Sequence, residues 1–352
     1  MFMAGLLPAA ALTVAVSPAA QAVATADQAP AVGTDHTGNE YLFWENSNQG
    51  LETATYTDAN GWGDPHAVTV GGQGVGPLGS EPTVAVNYQT GDQYVFWEST
   101  GATPQLMEAY NNSTGWHGPY QVKDPAGNGM GPLASRPSAV MNQATGHEYI
   151  YWKSTVGNLQ FTWWNGSNFD SSQTVVDHDT RKNISGLGSQ PYAATVAGES
   201  GDYTIVVWES PGSSQQLDFI TQSGQDANFP AAEAVHTNGT STAGLGPLGS
   251  QPAVAVQPCA PCTGATAVWM NTNNDLEYSD YLLGGGNPGF WSSPQAAGVG
   301  PLNSAPAITW GTSVRAYWRG TNGHLWMAYH ASNASTWNGP FDQGIFMYNP
   351  PS

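Results

Sequence analysis

The chain has 352 residues, only 9% of them charged, and its seven Lys plus Arg against 26 Asp plus Glu give a formal net charge of −19. No Lys or Arg precedes Lys123. Nucleic acid and acidic membranes, which are recognised through basic side chains, are therefore excluded as expected partners.

Residues Phe2 to Ala22 form an apolar stretch of Ala, Leu and Val that ends in Ala20-Gln21-Ala22. Small-x-small is the pattern a signal peptidase accepts, and we read residues 1–22 as a cleaved secretory signal. The mature chain is then extracellular, with no membrane insertion. No positive residue precedes the run, so a wrongly assigned start and an uncleaved anchor remain alternatives. Pro8, Pro18 and the shortness of the stretch argue against a membrane span, which needs about 20 apolar residues.

The rest of the chain repeats itself. A phrase ending in tryptophan reads YLFWE at Tyr41 to Glu45 and YVFWE at Tyr94 to Glu98, and returns around Trp152, Trp208, Trp269 and Trp318. Its β-branched and aromatic residues suit a strand buried on both faces. Period 2 puts Leu42, Val95, Ile150, Val206, Ala267 and Ala316 on the tryptophan face, with Phe43, Phe96, Tyr151, Val207, Val268 and Tyr317 opposite. Before the phrase comes an alternating apolar run such as Thr83 to Val86, opened by a Gly and Pro loop. That loop reads GPLGSEP at Gly76, GPLASRP at Gly131, SGLGSQP at Ser185, GPLGSQP at Gly246 and GPLNSAP at Gly300.

After the phrase, a leucine (Leu51, Leu106, Leu159, Leu217, Leu276, Leu325) opens a third strand. An aromatic (Trp62, Trp116, Phe169, Phe229, Trp291, Trp337) then marks the turn into a fourth. No stretch carries helical periodicity or cap signals. Six copies of four strands, linked by five connectors, predict an all-β, six-bladed β-propeller of four-stranded antiparallel blades. Each repeat needs two neighbours to bury both its faces, so the ring must close. Residues 23–352 are read as one domain, with blades near 28–73, 74–127, 128–182, 183–242, 243–297 and 298–344. The chain near Pro30 is expected to meet the blade ending near Phe341, with the tail from Ile345 joining that seam.

The last repeat, from Ser304 to Pro340, contains SAPAITWG, YWRGTNGHLW and WNGP. These resemble the repeat of secreted bacterial β-propeller lectins related to the tectonin and fucose-lectin groups, and the looser LGSxP, FWE and GWxGP matches extend the likeness over residues 28 to 340. The resemblance implies a propeller, secretion and sugar binding. The fungal fucose lectins of this kind pair a second-strand Arg with a third-strand Glu of the same blade. Here the first position holds Tyr41, Tyr94, Tyr149, Ile205, Thr266 and Arg315, and the second Thr53, Glu108, Phe161, Phe219, Tyr278 and Met327. Only Arg315 and Glu108 fit, on different blades.

The six phrase tryptophans read as inter-blade packing. The turn aromatics Trp62, Trp116, Trp291 and Trp337 are candidate sugar platforms, because loop tips are exposed. Just past the phrase tryptophans stand Glu45, Glu98, Lys153, Glu209, Met270 and Arg319. Glu45, Glu98, Glu209 and Arg319 are candidate hydroxyl-binding groups, and their uneven distribution predicts unequal blades.

A glycosidase needs two carboxyls about 5 to 9.5 Å apart. The residues before the inner-strand prolines (Ala29, Glu81, Arg136, Gln190, Gln251, Ala305) include a single carboxylate, so no catalytic residue is assigned. A protein-binding or structural propeller is the other alternative. Cys259 and Cys262 are the only cysteines; a local disulfide is the reading, with zinc and redox roles the alternatives. No cofactor or metal ligand set is assigned; the sequence has no DxDxDG loop, which leaves calcium a minor alternative in so acidic a chain. The expected partner is an extracellular glycan or polysaccharide, bound by a monomer.

Overall fold

The computed structural model describes residues 29–143, 145–177, 180–196, 203–213, 215–223, 228–229, 233–234, 245–256, 264–282, 290–331 and 336–347. Residues 1–22, Cys259 and Cys262 lie outside the described residues. Six antiparallel sheets follow one another along the chain, each built in sequence order from an inner strand outward. They are the blades of a six-bladed all-β propeller, and among the described residues there is no helix.

The inner strands are Ala31–Thr34, Thr83–Val86, Ser138–Met141, Tyr192–Val196, Ala253–Val256 and Ala307–Trp310. Each pairs with the strand carrying the tryptophan phrase, for example Ala31 with Phe43 and Thr83 with Phe96. The prolines sit one residue before each inner strand rather than within it, since Pro has no N–H to give the ladder. The fourth strand is split in the first blade, where Gly61–Trp62 and His66–Ala67 both pair with Leu51–Thr57. The fifth blade is split in the same way.

Alternation along the second strand builds the core between blades. Leu42 and Trp44 join Ala307, Tyr317 and Leu325 of the sixth blade, while Phe43 joins Val84, Val95 and Trp97 of the second. All six phrase tryptophans are buried. Each blade thus exposes neither apolar face, which is why it needs two neighbours. The ring closes between blades six and one: Thr34 and Thr309 share a hydroxyl hydrogen bond at 2.7 Å, and Ile345 and Met347 of the tail pack into the same cluster as Val32 and Leu42.

The connectors act as clasps. The leucine N–H of each (Leu78, Leu133, Leu187, Leu248, Leu302) donates to a carbonyl in the 2–3 turn of the preceding blade, at 2.8 to 3.4 Å. The serine (Ser80, Ser135, Ser189, Ser250, Ser304) donates to the next residue's carbonyl and accepts the N–H at the end of its own second strand. That N–H belongs in turn to Glu98, Lys153, Glu209, Met270 and Arg319. One sequence motif therefore ties two blades together and fixes the residue just past each tryptophan.

Candidate functional site between the blades

Second-strand direction sorts the candidate residues onto two faces of the ring. Glu45, Glu98, Glu209 and Arg319 lie at strand ends on the connector face. Trp62 and Trp116 pair across to the other end, through Tyr56 to Glu40 and through Asn111 to Gln93. Five residues of strand separate Gln93 from Glu98, about 17 Å. Trp116 and Glu98 therefore serve different surfaces.

On the connector face, burial first and then the charge of Glu81 push Glu45 and Glu98 up to about 7. Glu81, before the second blade's inner strand, thus gathers the acidic ends of two blades. Glu209 is raised by burial, against a hydrogen bond from Gln215 and the charge of Lys153. Arg319 donates from Nη2 to the Asn303 carbonyl at 3.3 Å.

Five of the turn aromatics follow one rule: each packs onto an aromatic of the preceding blade. Trp62 meets Tyr317 edge-on at 6.0 Å, Trp116 meets Phe43 at 5.8 Å, Phe169 meets Phe96 at 6.2 Å, Trp291 meets Phe219 at 5.9 Å and Trp337 meets Tyr278 at 5.6 Å. Trp291 and Trp337 are only 1% and 7% exposed, which corrects the expectation that they are sugar platforms: their faces are taken up by the core. Trp62 and Trp116 stay half-exposed.

What differs between interfaces is the polar set at the turn-face end. The interface of blades four and five has Ile205 packed in one apolar cluster with Ala265, Tyr281 and Trp291. At six and one, Arg315 points to Glu40 of the first blade, Nη1 to Oε1 at 2.6 Å, and the Tyr317 hydroxyl donates to the same carboxylate. Glu40 is 1% exposed and the Arg315 side chain 18%. Burial still raises Glu40 above the usual carboxylate range, against the pull of Arg315 and Tyr317. The guanidinium lies 5.3 Å from the Tyr56 ring centre, and Trp62 stands beside Tyr56 at 5.5 Å with its Nε1 donating to Gln343 at 3.1 Å. An arginine with donors to spare, a carboxylate and two half-exposed rings thus share one cleft.

At blades two and three, Glu108 and Glu148 face each other. Burial pushes Glu108 up to about 7, and burial together with the charge of Glu108 holds Glu148 well above the usual range. The Oε2 of Glu148 is buried without a hydrogen-bond partner. Tyr94 and Tyr110 stack at 6.0 Å beside the pair, and His117 stacks on Tyr110 at 4.8 Å. The sequence shows a single carboxylate at the inner-strand positions, and this pair becomes visible only across the interface. The pair arises from different blades and strands, not from the inner-strand prolines.

Glu40, Tyr56, Gln343 and Glu148 were not singled out from sequence. A signal existed for two of them: Glu40 and Glu148 open their strands with the same parity as Trp44 and Trp152, a carboxyl on a face otherwise wholly apolar.

Solved structures with this architecture include AofleA from Arthrobotrys oligospora, at TM-score 0.64 and 12% identity over 90% of this chain and 87% of that one. A lectin from Burkholderia pseudomallei is similar at TM-score 0.59 and 16% identity, covering 90% and 98%. Aleuria aurantia lectin, described as a six-bladed β-propeller with a novel fucose recognition mode, is similar at TM-score 0.59 and 12% identity, covering 90% and 96%. At these identities the likeness establishes the fold. No protein-family model matches the sequence, and no curated protein is detectably similar to it.

Proposed function

We propose that the chain is a secreted, lectin-like propeller that binds carbohydrate at shallow clefts between blades, without covalent chemistry. The observation that carries this reading is the cleft between blades six and one. Arg315, held by Glu40 and lying over Tyr56, keeps donors for sugar hydroxyls, while Tyr56 and Trp62 offer apolar ring surface to sugar C–H groups. That two of the similar structures are lectins supports it, and fucosylated glycans are the first probes because one of them, Aleuria aurantia lectin, is described by its fucose recognition. Trp116 supplies a weaker site of the same kind. Glu45, Glu98, Glu209 and Arg319 supply polar contacts on the opposite face. Weak sites summed over one chain give avidity toward a polymer or cell surface.

A broad glycan array tests this with the mature chain and with Arg315→Gln and Trp62→Ala. The reading expects a defined glycan class whose signal falls at least tenfold in both variants, with a smaller fall in Trp116→Ala and Glu98→Ala. Absence of binding across the array would favour a protein-binding propeller.

One observation favours a second reading, a glycoside hydrolase: the facing carboxyls of Glu108 and Glu148. A hydrolytic pair divides its roles, one carboxyl protonated and one ionised. Here burial raises both, and Glu148 is 3% exposed, so substrate would have to part the blades to reach it. Release of reducing sugar, abolished by Glu108→Gln, would establish that reading instead.

A further inference from the structure

The inner strands of all six blades leave a well of about 380 Å³ along the ring axis. Its wall mixes aliphatic side chains such as Val32, Val84 and Val140 with hydroxyl side chains such as Thr34, Thr83 and Thr309, apolar surface being the larger share, and no Asp, Glu, Lys, Arg or His lines it. Gly33 lets the first and second blades close up there, since a Cβ at that point would stand 2.4 Å from Cγ2 of Val86.

Several of the hydroxyls in the wall are committed between blades. Thr83 Oγ1 accepts the Ala139 N–H at 3.1 Å, and Ser138 Oγ accepts the Ala193 N–H at 2.9 Å. The Thr195 hydroxyl donates to the Met141 carbonyl at 2.7 Å, and Thr34 and Thr309 bond each other. These bonds occupy groups of edge strands that would otherwise face the axis. A sugar entering the well would lose water and find these hydroxyls already bonded between blades. An apolar body has nothing to forfeit.

The connector end is floored. Arg136 of the third blade reaches over the axis to donate to the Pro30 carbonyl of the first, at 3.5 Å. Tyr192 of the fourth blade is hydrogen-bonded to the Ile308 backbone of the sixth. Ala29, Glu81, Gln251 and Ala305 are buried at the same level. The well therefore opens toward the turn face, past Tyr88, Gln89 and Trp310. A blind, uncharged recess of this volume, more apolar than polar, has the form of a small-molecule pocket, typically about 300–1,000 Å³ and mostly apolar with a few polar groups.

We infer that the axial well is a binding site for one small, uncharged, predominantly apolar molecule, aromatic or short-chain aliphatic, independent of the clefts between blades. The probe is N-phenyl-1-naphthylamine, a neutral dye whose emission rises in apolar surroundings, titrated against the full chain. Expected are saturable binding at one dye per chain, displacement by toluene and no displacement by the glycan found on the array. Affinity should be unchanged in Arg315→Gln and at least tenfold lower in Ala194→Phe and Val84→Phe, which fill the well from two walls. Thermal melting identifies which of the two variants is folded. No saturable binding to the unaltered chain, displacement by glycan, or unchanged affinity in a folded filling variant would overturn the inference.

Discussion

The interface of blades six and one and that of blades four and five occupy the same positions of one repeat. At the first, those positions hold Arg315, Glu40, Tyr56 and Trp62; at the second, Ile205, Ala265, Tyr281 and Trp291. In both, the turn tryptophan packs on the preceding blade. At four and five, apolar neighbours close over Trp291 and the interface becomes core. At six and one, an ion pair stands where the aliphatic side chains would be, and Trp62 stays half-exposed beside it. The repeat supplies the scaffold, and a few side chains at the turn-face end decide whether a given interface is sealed or receptive.

The sharpest way to break this comparison is to cut each interface. Trp291→Ala removes a fully buried indole and should cost about 3–5 kcal/mol in urea or guanidinium unfolding, with glycan binding by the remaining folded protein unchanged. Arg315→Ala should cost a similar amount, about 3–5 kcal/mol, for another reason: it leaves the buried Glu40 carboxylate without its counter-charge. Pairing it with Glu40→Gln should restore most of the stability but none of the sugar binding. Recovery of both would show that the pair serves only to close the ring.

A smaller effect distinguishes the carboxyl pair of blades two and three. Glu45, Glu98 and Glu108 have folded pKa values of about 7 against an ordinary 4.5. A raised carboxyl pKa contributes stability that is complete below about 4.5 and is lost as pH rises through about 7. Unfolding free energy should therefore fall between pH 5 and pH 8. Glu108→Gln should flatten that fall and stabilise the protein at pH 8 by on the order of 1–3 kcal/mol. A profile rising toward pH 8 would show that the two carboxyls do not share a buried site.

The smallest effect concerns the clasps common to every interface. Ser304→Ala removes the acceptor of the Arg319 N–H at 3.0 Å and the donor to the Ala305 carbonyl at 2.9 Å, and should cost about 1 kcal/mol without changing the dye or glycan affinities.

The architecture was legible because it is local and repeated. Alternation around Trp44 and its counterparts announces a strand buried on both faces, and five connectors between six phrases give the blade number. The turn aromatics were not legible in the same way. Whether Trp62 or Trp291 meets solvent depends on the residue three before the phrase tryptophan of the preceding blade, Arg315 in one case and Ile205 in the other, and on what that residue meets across the interface. The partner of Arg315 was hidden for a similar reason, because Glu40 lies in the blade at the other end of the chain, joined to it only by ring closure. The family pattern looks for a glutamate in the same blade as the arginine, where this chain has Met327.

Calorimetric titration of the chain with the glycan selected on the array tests the central claim most directly. The account predicts fewer than six sites, unequal in affinity, the tightest of them lost in Arg315→Gln while the fold persists. Six equivalent sites, or a titration indifferent to Arg315, would contradict it.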